Sequence, residues 1–401
     1  MAKLFSSERI GTPQIIAGLM LLVFMAECLW LVAHIPPGAI SAEEFSRVQE
    51  GAAQWRQETI AGTGVALKQS SQAAARDSIG FDDQHSPLWY LIEAAPLALF
   101  HADLSSTPGL WLSRGPYIFI GALLGASLWY VARRLYGNAG GYIALSLYCF
   151  SPAVIRSSAL WLSEPNVAGA WGTFGAVFTA IAVSHTLYAP REVVLWNWRR
   201  ILLLGVSLVL AVGSQFSLAI IIPVLLFFML YVAAGRSAAA IVILLSSCAI
   251  GFVLLFASYF FHPVIFWNSL AHTRWLDVTW HALDMRGAWL LVLKEILASG
   301  PVLVLLTPVC LATYVIWRRT RYFGNTAPLL VFLLFILLRV ASPHAADSVF
   351  SLIAVVFLFL LISGIVADFF ETRFRELTAA VVAGLLAANA VWSLIRLSQI
   401  R

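Results

Sequence analysis

The sequence predicts an all-α polytopic membrane protein with about eleven transmembrane helices, and three observations carry that prediction. Hydrophobic residues fill 61% of 401 positions and charged residues only 11%, against about 45–50% and about 25% in soluble domains. Eleven apolar runs are spread over the chain, many close to the roughly 20 residues a helix needs to cross about 30 Å of hydrocarbon. The 15 Trp and 26 Phe suit a bundle with aromatic residues at its membrane interfaces. This composition excludes a disordered chain, a secreted disulfide scaffold and a cytosolic enzyme. The formal net charge of +5 fits the basic loops of a membrane protein and is no argument for nucleic acid.

The first run, 14–35, follows Lys3 and Arg9. It is longer than the apolar core of a signal peptide, so an uncleaved first span is expected. The segment 36–86 then holds the acids Glu43, Glu44, Glu50, Glu58, Asp77, Asp82 and Asp83 and the bases Arg47, Arg56, Lys68 and Arg76. It is too polar to insert and too long for a simple connector, and it reads as a first outer loop. Within it, Ser41 to Glu58 has helical spacing: Phe45, Val48, Ala52 and Trp55 fall on one face. Ser41 with Glu44 makes a capping box. The expectation is an amphipathic helix lying on the outer surface. The stretch Gln69 to Gly80, rich in Ser, Ala and Gln, reads as flexible.

The stretch 87–101 is short for a span and carries Glu93, which predicts a re-entrant or interfacial helix. Further spans are expected at 110–132, 138–151, 165–187, 201–213, 217–234, 239–261, 299–317, 326–341, 347–367 and 377–396. Arg133/Arg134, Arg191/Arg199/Arg200, Arg236, Arg318/Arg319/Arg321 and Arg373/Arg375 can all share the cytoplasm with Lys3/Arg9 only if 87–101 does not cross. This orients the N-terminus inward and the C-terminus outward. Cys28, Cys149, Cys248 and Cys310 lie in or beside apolar runs without metal-ligand spacing and read as packing residues. The whole of 1–401 reads as one membrane domain.

Ionisable groups in or beside hydrocarbon are costly and point to function. Glu43, Glu44, His85 and Glu164 fall on the expected outer side. So do Arg114, Arg156, Arg274, Arg286 and Arg339. Guanidiniums hold a phosphate by paired hydrogen bonds, and a carboxylate can act as general base on a hydroxyl. Such a set suits chemistry on a phosphorylated lipid. Each group also has a plainer role: a helix cap for Glu43/Glu44, a loop position for His85, a solvated helix start for Glu164, snorkelling for the arginines. Glu27, halfway through the first span, could pair with an arginine or stay protonated.

The order of these residues resembles a known family, the multi-spanning glycosyltransferases of the C fold that use polyprenyl-phosphate sugars. Protein O-mannosyltransferases and the aminoarabinose transferase of lipid A belong to it. Glu43-Glu44-Phe45 stands where the family opens its first outer loop on an Asp-Glu pair. His85-Ser86-Pro87-Leu88-Trp89-Tyr90 resembles the family's His-Pro-Pro-Leu-Tyr-Tyr. Arg114, the patch Arg133-Arg134-Leu135-Tyr136-Gly137, Ser151-Pro152 and Glu164 follow in the family's order. The resemblance covers about residues 14–220, which it marks as a catalytic module, with variable spans over 221–401.

The resemblance implies an inverting transfer of a sugar from a polyprenyl-phosphate carrier to an acceptor hydroxyl at the outer face of the cell (inner) membrane. It places Glu43, Glu44 and Glu164 in the catalytic set. His85, Arg114, Arg156, Arg274 and Arg339 are then the substrate-binding candidates. The resemblance implies no certain cofactor but allows a divalent metal, which would sit on Glu43. Implied partners are the polyprenyl-phosphate sugar, membrane lipids and an acceptor glycan, lipid or protein. The chain departs from the pattern at the Glu-Glu pair, at Ser86, at Gly213-Ser214-Gln215-Phe216 where relatives often carry a Lys, and in having no soluble C-terminal domain. The competing expectations are a lipid-linked-sugar transporter or flippase, and a non-catalytic membrane subunit.

Overall fold

The computed structural model describes residues 11–34, 42–60, 65–66, 82–159, 166–188, 198–342 and 348–399, with backbone alone at 42–44, 59–60 and 65–66. Apart from one short antiparallel pairing, Thr59–Ile60 against Val65–Ala66, the described regular structure is helical. Ser41 and the stretch Gln69 to Gly80 lie outside the described residues.

Each apolar run forms helix. The run 14–35 becomes α1 (Thr12–Ala33), begun by a proline in its first turn. The amphipathic segment becomes α2 (Ala42–Trp55) and the short stretch α3 (Pro87–Phe100), whose N-terminus is capped by the Ser86 side chain. The runs 110–132 and 138–151 both lie in α4 (Thr107–Cys149), where Gly137 breaks the helical geometry at φ 74°. The Tyr148 hydroxyl donates to the Gly121 carbonyl at 2.6 Å. Along one straight helix those residues would stand roughly 40 Å apart, so α4 folds back at Gly137 into two antiparallel arms. Helices α5 (Pro152–Ala159), α6 (Asn166–Thr186) and α7 (Trp198–Ser214) follow. A 3₁₀ turn (Phe216–Ile220) leads into α8 (Ile221–Val232), and then come α9 (Ser237–Ser258) and α10 (Pro263–His272). The chain closes with α11 (Arg286–Ser299), α12 (Pro301–Ile316), α13 (Phe323–Ala341), α14 (Ser348–Phe370) and α15 (Arg375–Ser398).

The structure adjusts two expectations. Among the described residues, seven helices are long and apolar enough to cross a membrane, or eight if the pair α11–α12 is one broken span. The runs at 201–213 and 217–234 give helices of 17 residues or fewer, and 138–151 is the short arm of the hairpin. The second adjustment is the elbow. A 113° bend separates α11 from α12 at Gly300–Pro301, so the helical structure begins well before the run at 299–317. Pro301 has no N–H for a continuing helix, and that stops α11 there.

The architecture is a bundle around α14. Every residue from Val349 to Val366 is buried, as expected of a helix apolar on all sides. Phe357 of α14 meets Phe174 and Phe178 of α6 at 5.5 and 5.9 Å. The amphipathic helix packs on protein: Phe45, Val48 and Ala52 lie against Ala94 and Leu97 of α3 and Leu104 beyond it. That is the predicted apolar face, now covered by α3. Trp55, assigned to the same face, stays 46% exposed, and its indole N–H donates to the Leu91 carbonyl at 2.9 Å. Three of the four free cysteines are buried, in keeping with packing roles.

The basic connections gather at one end. The Tyr136 hydroxyl, beside the Arg133/Arg134 turn, donates to the Gly324 carbonyl at 2.6 Å. Arg319 pairs with Glu371. The Gly235 N–H meets the Tyr188 hydroxyl at 3.1 Å. The chain alternates between ends, so residues 82–87, 213–216, 259–285 and 339–342 collect at the other.

Candidate functional site

The non-basic end is organised by the short segment 82–86. Its backbone is pinned from two sides. Ser86 N–H and hydroxyl both reach the Gly213 carbonyl, at 3.1 and 2.8 Å. The Phe216 N–H donates to the Gln84 carbonyl at 2.9 Å, and the Arg274 N–H to the Asp83 carbonyl at 2.7 Å. The end of α7 and the stretch after α10 therefore fix this segment, and the Phe216 and Trp275 rings meet at 5.7 Å over the join.

At its centre are Asp82 and His85. One Asp82 oxygen accepts the N–H groups of Gln84 and His85, both at 3.0 Å. The His85 Nδ1 lies 3.3 and 3.2 Å from the two carboxylate oxygens. The Tyr90 hydroxyl, one turn into α3, donates to the same carboxylate. The two side chains are only 10% and 12% exposed, and the His85 ring stands edge-on to Trp89 at 5.8 Å. Burial alone would raise the Asp82 pKa; the His85 ring, its hydrogen bond and the two backbone N–H groups outweigh it and hold the carboxyl below the usual range.

A depressed carboxyl pKa contributes stability above the unfolded value, about 3.9, and loses it as pH falls through the lower folded value. Wild-type melting temperature is expected to exceed that of Asp82→Asn near neutral pH. The gap should close on acidification below about pH 4. A gap that persists unchanged in acid would refute this.

Helix α2 contributes further polar groups. Arg47 lies over the Tyr90 ring, its guanidinium carbon 5.9 Å from the centroid, and 3.6 Å from the Glu50 carboxylate. Buried Gln54 donates to the Ser258 carbonyl at 2.7 Å, tying α2 to the end of α9. There Tyr259, hydrogen-bonded to Ser269 at 2.8 Å, lies within electrostatic reach of Asp82. Beyond Glu50 a cleft of about 620 Å³ opens between α2 and the end of α3. Glu50, Arg56, His101 and Asp103 stand on its walls, over Val48, Leu97 and Leu104. Among the described residues, none of the sequence-predicted site side chains lines it.

The predicted residues fall as follows. Glu43 and Glu44 occupy the first turn of α2, one turn before Arg47, and their side chains lie outside the described residues. Glu164 also lies outside them. His85 sits at the centre of the cluster. Arg274 is joined to it through the Asp83 carbonyl, and its guanidinium pairs with Asp277. Arg114 is buried in the first arm of α4, and Arg156 is half-buried in α5. Arg286 begins α11. Arg339 is buried on α13 and held by Glu295 of α11: Nη2 is 2.6 Å and Nε 3.0 Å from its oxygens. Its Nη1 donates to the Ser342 carbonyl at 3.0 Å, and the Ser351 hydroxyl donates to Glu295. The Arg339 charge is thus answered inside the bundle. The Thr279 N–H donates to the Ala341 carbonyl at 2.8 Å, which links this pair to the stretch carrying Arg274.

Glu27 faces inward on α1, and neither of its oxygens has a hydrogen-bond partner among the described residues. Sequence reasoning missed Asp82, Tyr90, Arg47 and Glu295. For Asp82 a signal existed: an acid three residues before His85 can turn back on the backbone it precedes. Among the described residues, no three His, Cys, Asp or Glu side chains gather in a way that could hold a metal ion.

No protein-family model matches the chain, and no curated protein does. Solved structures of the oligosaccharyltransferase of Archaeoglobus fulgidus do match in fold. The form with Zn and sulfate superposes with a TM-score of 0.57 at 11% identity, over 94% of this chain and 53% of that one. The form tethered to an acceptor peptide gives 0.55 at 13% identity, over 96% and 55%. The complex with an inhibitory peptide and a dolichol-phosphate gives 0.53 at 11%, over 95% and 55%. The chain spans about half the length of these proteins. The likeness is one of fold: the chain shares the multi-pass helical fold of part of that oligosaccharyltransferase. The matching structures belong to neither the protein O-mannosyltransferases nor the aminoarabinose transferase, the members named from sequence.

Proposed function

We propose that the protein is an inverting glycosyltransferase that moves a sugar from a polyprenyl-phosphate carrier to an acceptor hydroxyl, at the non-basic end of the bundle. The observation that carries this is fold likeness over 94–96% of the chain to an enzyme whose structures include one with dolichol-phosphate and one with an acceptor peptide. The positive-inside rule puts the basic end in the cytoplasm and the site on the extracytoplasmic face of the cell membrane.

In this reaction the acceptor oxygen attacks the anomeric carbon and loses its proton, and polyprenyl phosphate leaves with negative charge. A phosphate leaving group lessens the need for a general acid, so the two-carboxylate arrangement of glycosidases is not required. Glu43, Glu44 and Glu164 are the carboxylates that serve the acceptor. A divalent cation would be held at Glu43. His85, Arg114, Arg156 and Arg274 contact the donor or acceptor. Arg339 acts through the geometry of α11 and α13, since Glu295 already holds its guanidinium.

The test is release of polyprenyl phosphate from a panel of polyprenyl-phosphate hexoses and pentoses, in membranes containing the full chain. Wild type should consume at least one donor, and Glu43→Gln should slow release. Undiminished turnover in Glu43→Gln removes Glu43 from the site. Passage of labelled lipid-linked sugar across liposomes, without release, would make the protein a transporter.

A further inference from the structure

We propose that His85 is the base that takes the proton of the acceptor hydroxyl, with Asp82 as its positioning residue. This deepens the transferase reading and rests on it. An ionised carboxylate only accepts hydrogen bonds. Nδ1 lies 3.2 and 3.3 Å from the two Asp82 oxygens, so Nδ1 carries the ring hydrogen and Nε2 presents its lone pair. Nε2 has no hydrogen-bond partner among the described residues.

The ring is also held still. Asp82 is fixed by two backbone N–H groups and by Tyr90. The backbone around His85 is tied to Gly213 and Phe216, and Trp89 stands against the ring. A carboxylate that orients an imidazole, itself anchored by a third group, is the arrangement expected of a working base. Tyr90 of α3 donates to Asp82 and Tyr259 after α9 lies within its electrostatic reach; Arg47 with Glu50 on α2 stands over the Tyr90 ring, and Arg274 with Asp277 follows on the stretch tied to the Asp83 carbonyl.

The step balances. The acceptor O–H bond breaks and its proton goes to Nε2. The oxygen forms a bond to the anomeric carbon. The bond from that carbon to the phosphate oxygen breaks, and its electron pair leaves with polyprenyl phosphate. The imidazolium, beside ionised Asp82, returns the proton to water. Glu43 is then free of the base role.

The experiment uses full-length protein in membranes and the donor panel above. Wild-type turnover should fall as pH is lowered, because a protonated Nε2 has no lone pair to take the proton. His85→Gln should lose that limb and slow by about 10²–10⁴-fold. Asp82→Asn should lower kcat with little change in donor KM, and Glu43→Gln should keep the acid limb. If His85→Lys works as well as wild type, His85 is a phosphate-holding cation and the proposal falls; an acid limb retained in His85→Gln also overturns it.

A second readout needs no substrate. Diethyl pyrocarbonate should carbethoxylate His85, located by peptide mass mapping, faster as pH rises and more slowly in Asp82→Asn. A His85 refractory at every pH overturns the proposal. If wild type consumes no donor while His85 still labels in this way, the transferase reading is what has failed.

Discussion

Glu295→Leu is expected to destabilise the protein by about 3–5 kcal/mol, the usual cost of stripping one partner from a buried ion pair. Arg339 is 3% exposed, and its guanidinium takes both Glu295 oxygens at 2.6–3.2 Å. Without the carboxylate, that charge stays buried and the Ser351 hydroxyl also loses its acceptor. The damage should appear as a large drop in melting temperature and in folded yield from detergent. The double variant Glu295→Leu/Arg339→Met should recover most of the loss, because apolar groups of similar size replace a buried pair at little cost. A double variant as unstable as the single one would show that the pair is not the unit that matters. The contact spans three helices, with Glu295 on α11, Arg339 on α13 and Ser351 on α14. Its loss should therefore loosen the elbow at Gly300.

Gly172→Ala is the second large effect, at about 1–3 kcal/mol. A Cβ at 172 would stand 2.3 Å from the Ala211 backbone nitrogen and 2.7 Å from the Ser207 carbonyl. Both are main-chain atoms of α7, so no side chain can swing aside and the helices must separate. Elsewhere the same change should do the opposite. At Gly384 on α15 a Cβ meets nothing within 4 Å, and alanine is favoured over glycine in a helix by roughly 0.5–1 kcal/mol. Thermal unfolding of both variants checks the pair. Equal shifts would mean that the α6–α7 approach is not tight.

Much of the fold was legible because hydropathy is a local property. All eleven apolar runs are helical, and Phe45, Val48 and Ala52 do form the buried face of α2. The hairpin in α4 was legible too: a basic patch ending in Gly137 separates its two arms. Span count was less so, because length alone does not tell a crossing helix from a short arm. The elbow at Gly300 was missed because α11 carries Arg286, Lys294 and Glu295, which weaken its apolar signal. Arg339 read as a phosphate ligand because its partner lies 44 residues earlier on another helix. His85 stood out by its motif; Asp82, three residues before it, did not, because an acid in a polar loop looks like any solvated residue.

From its own letters the chain determined a membrane-embedded helical bundle, the place of its apolar runs and the end where basic residues gather. Each of these follows from the free energy of moving a side chain between water and hydrocarbon, a quantity that one residue and its near neighbours set. The tertiary structure decided which charges answer one another: Asp82 with His85 and Tyr90, Glu295 with Arg339 and Ser351. Those partnerships depend on separations of a few ångströms between helices distant in the chain. Electrostatic energy falls with distance in space, and spacing along a sequence does not record it.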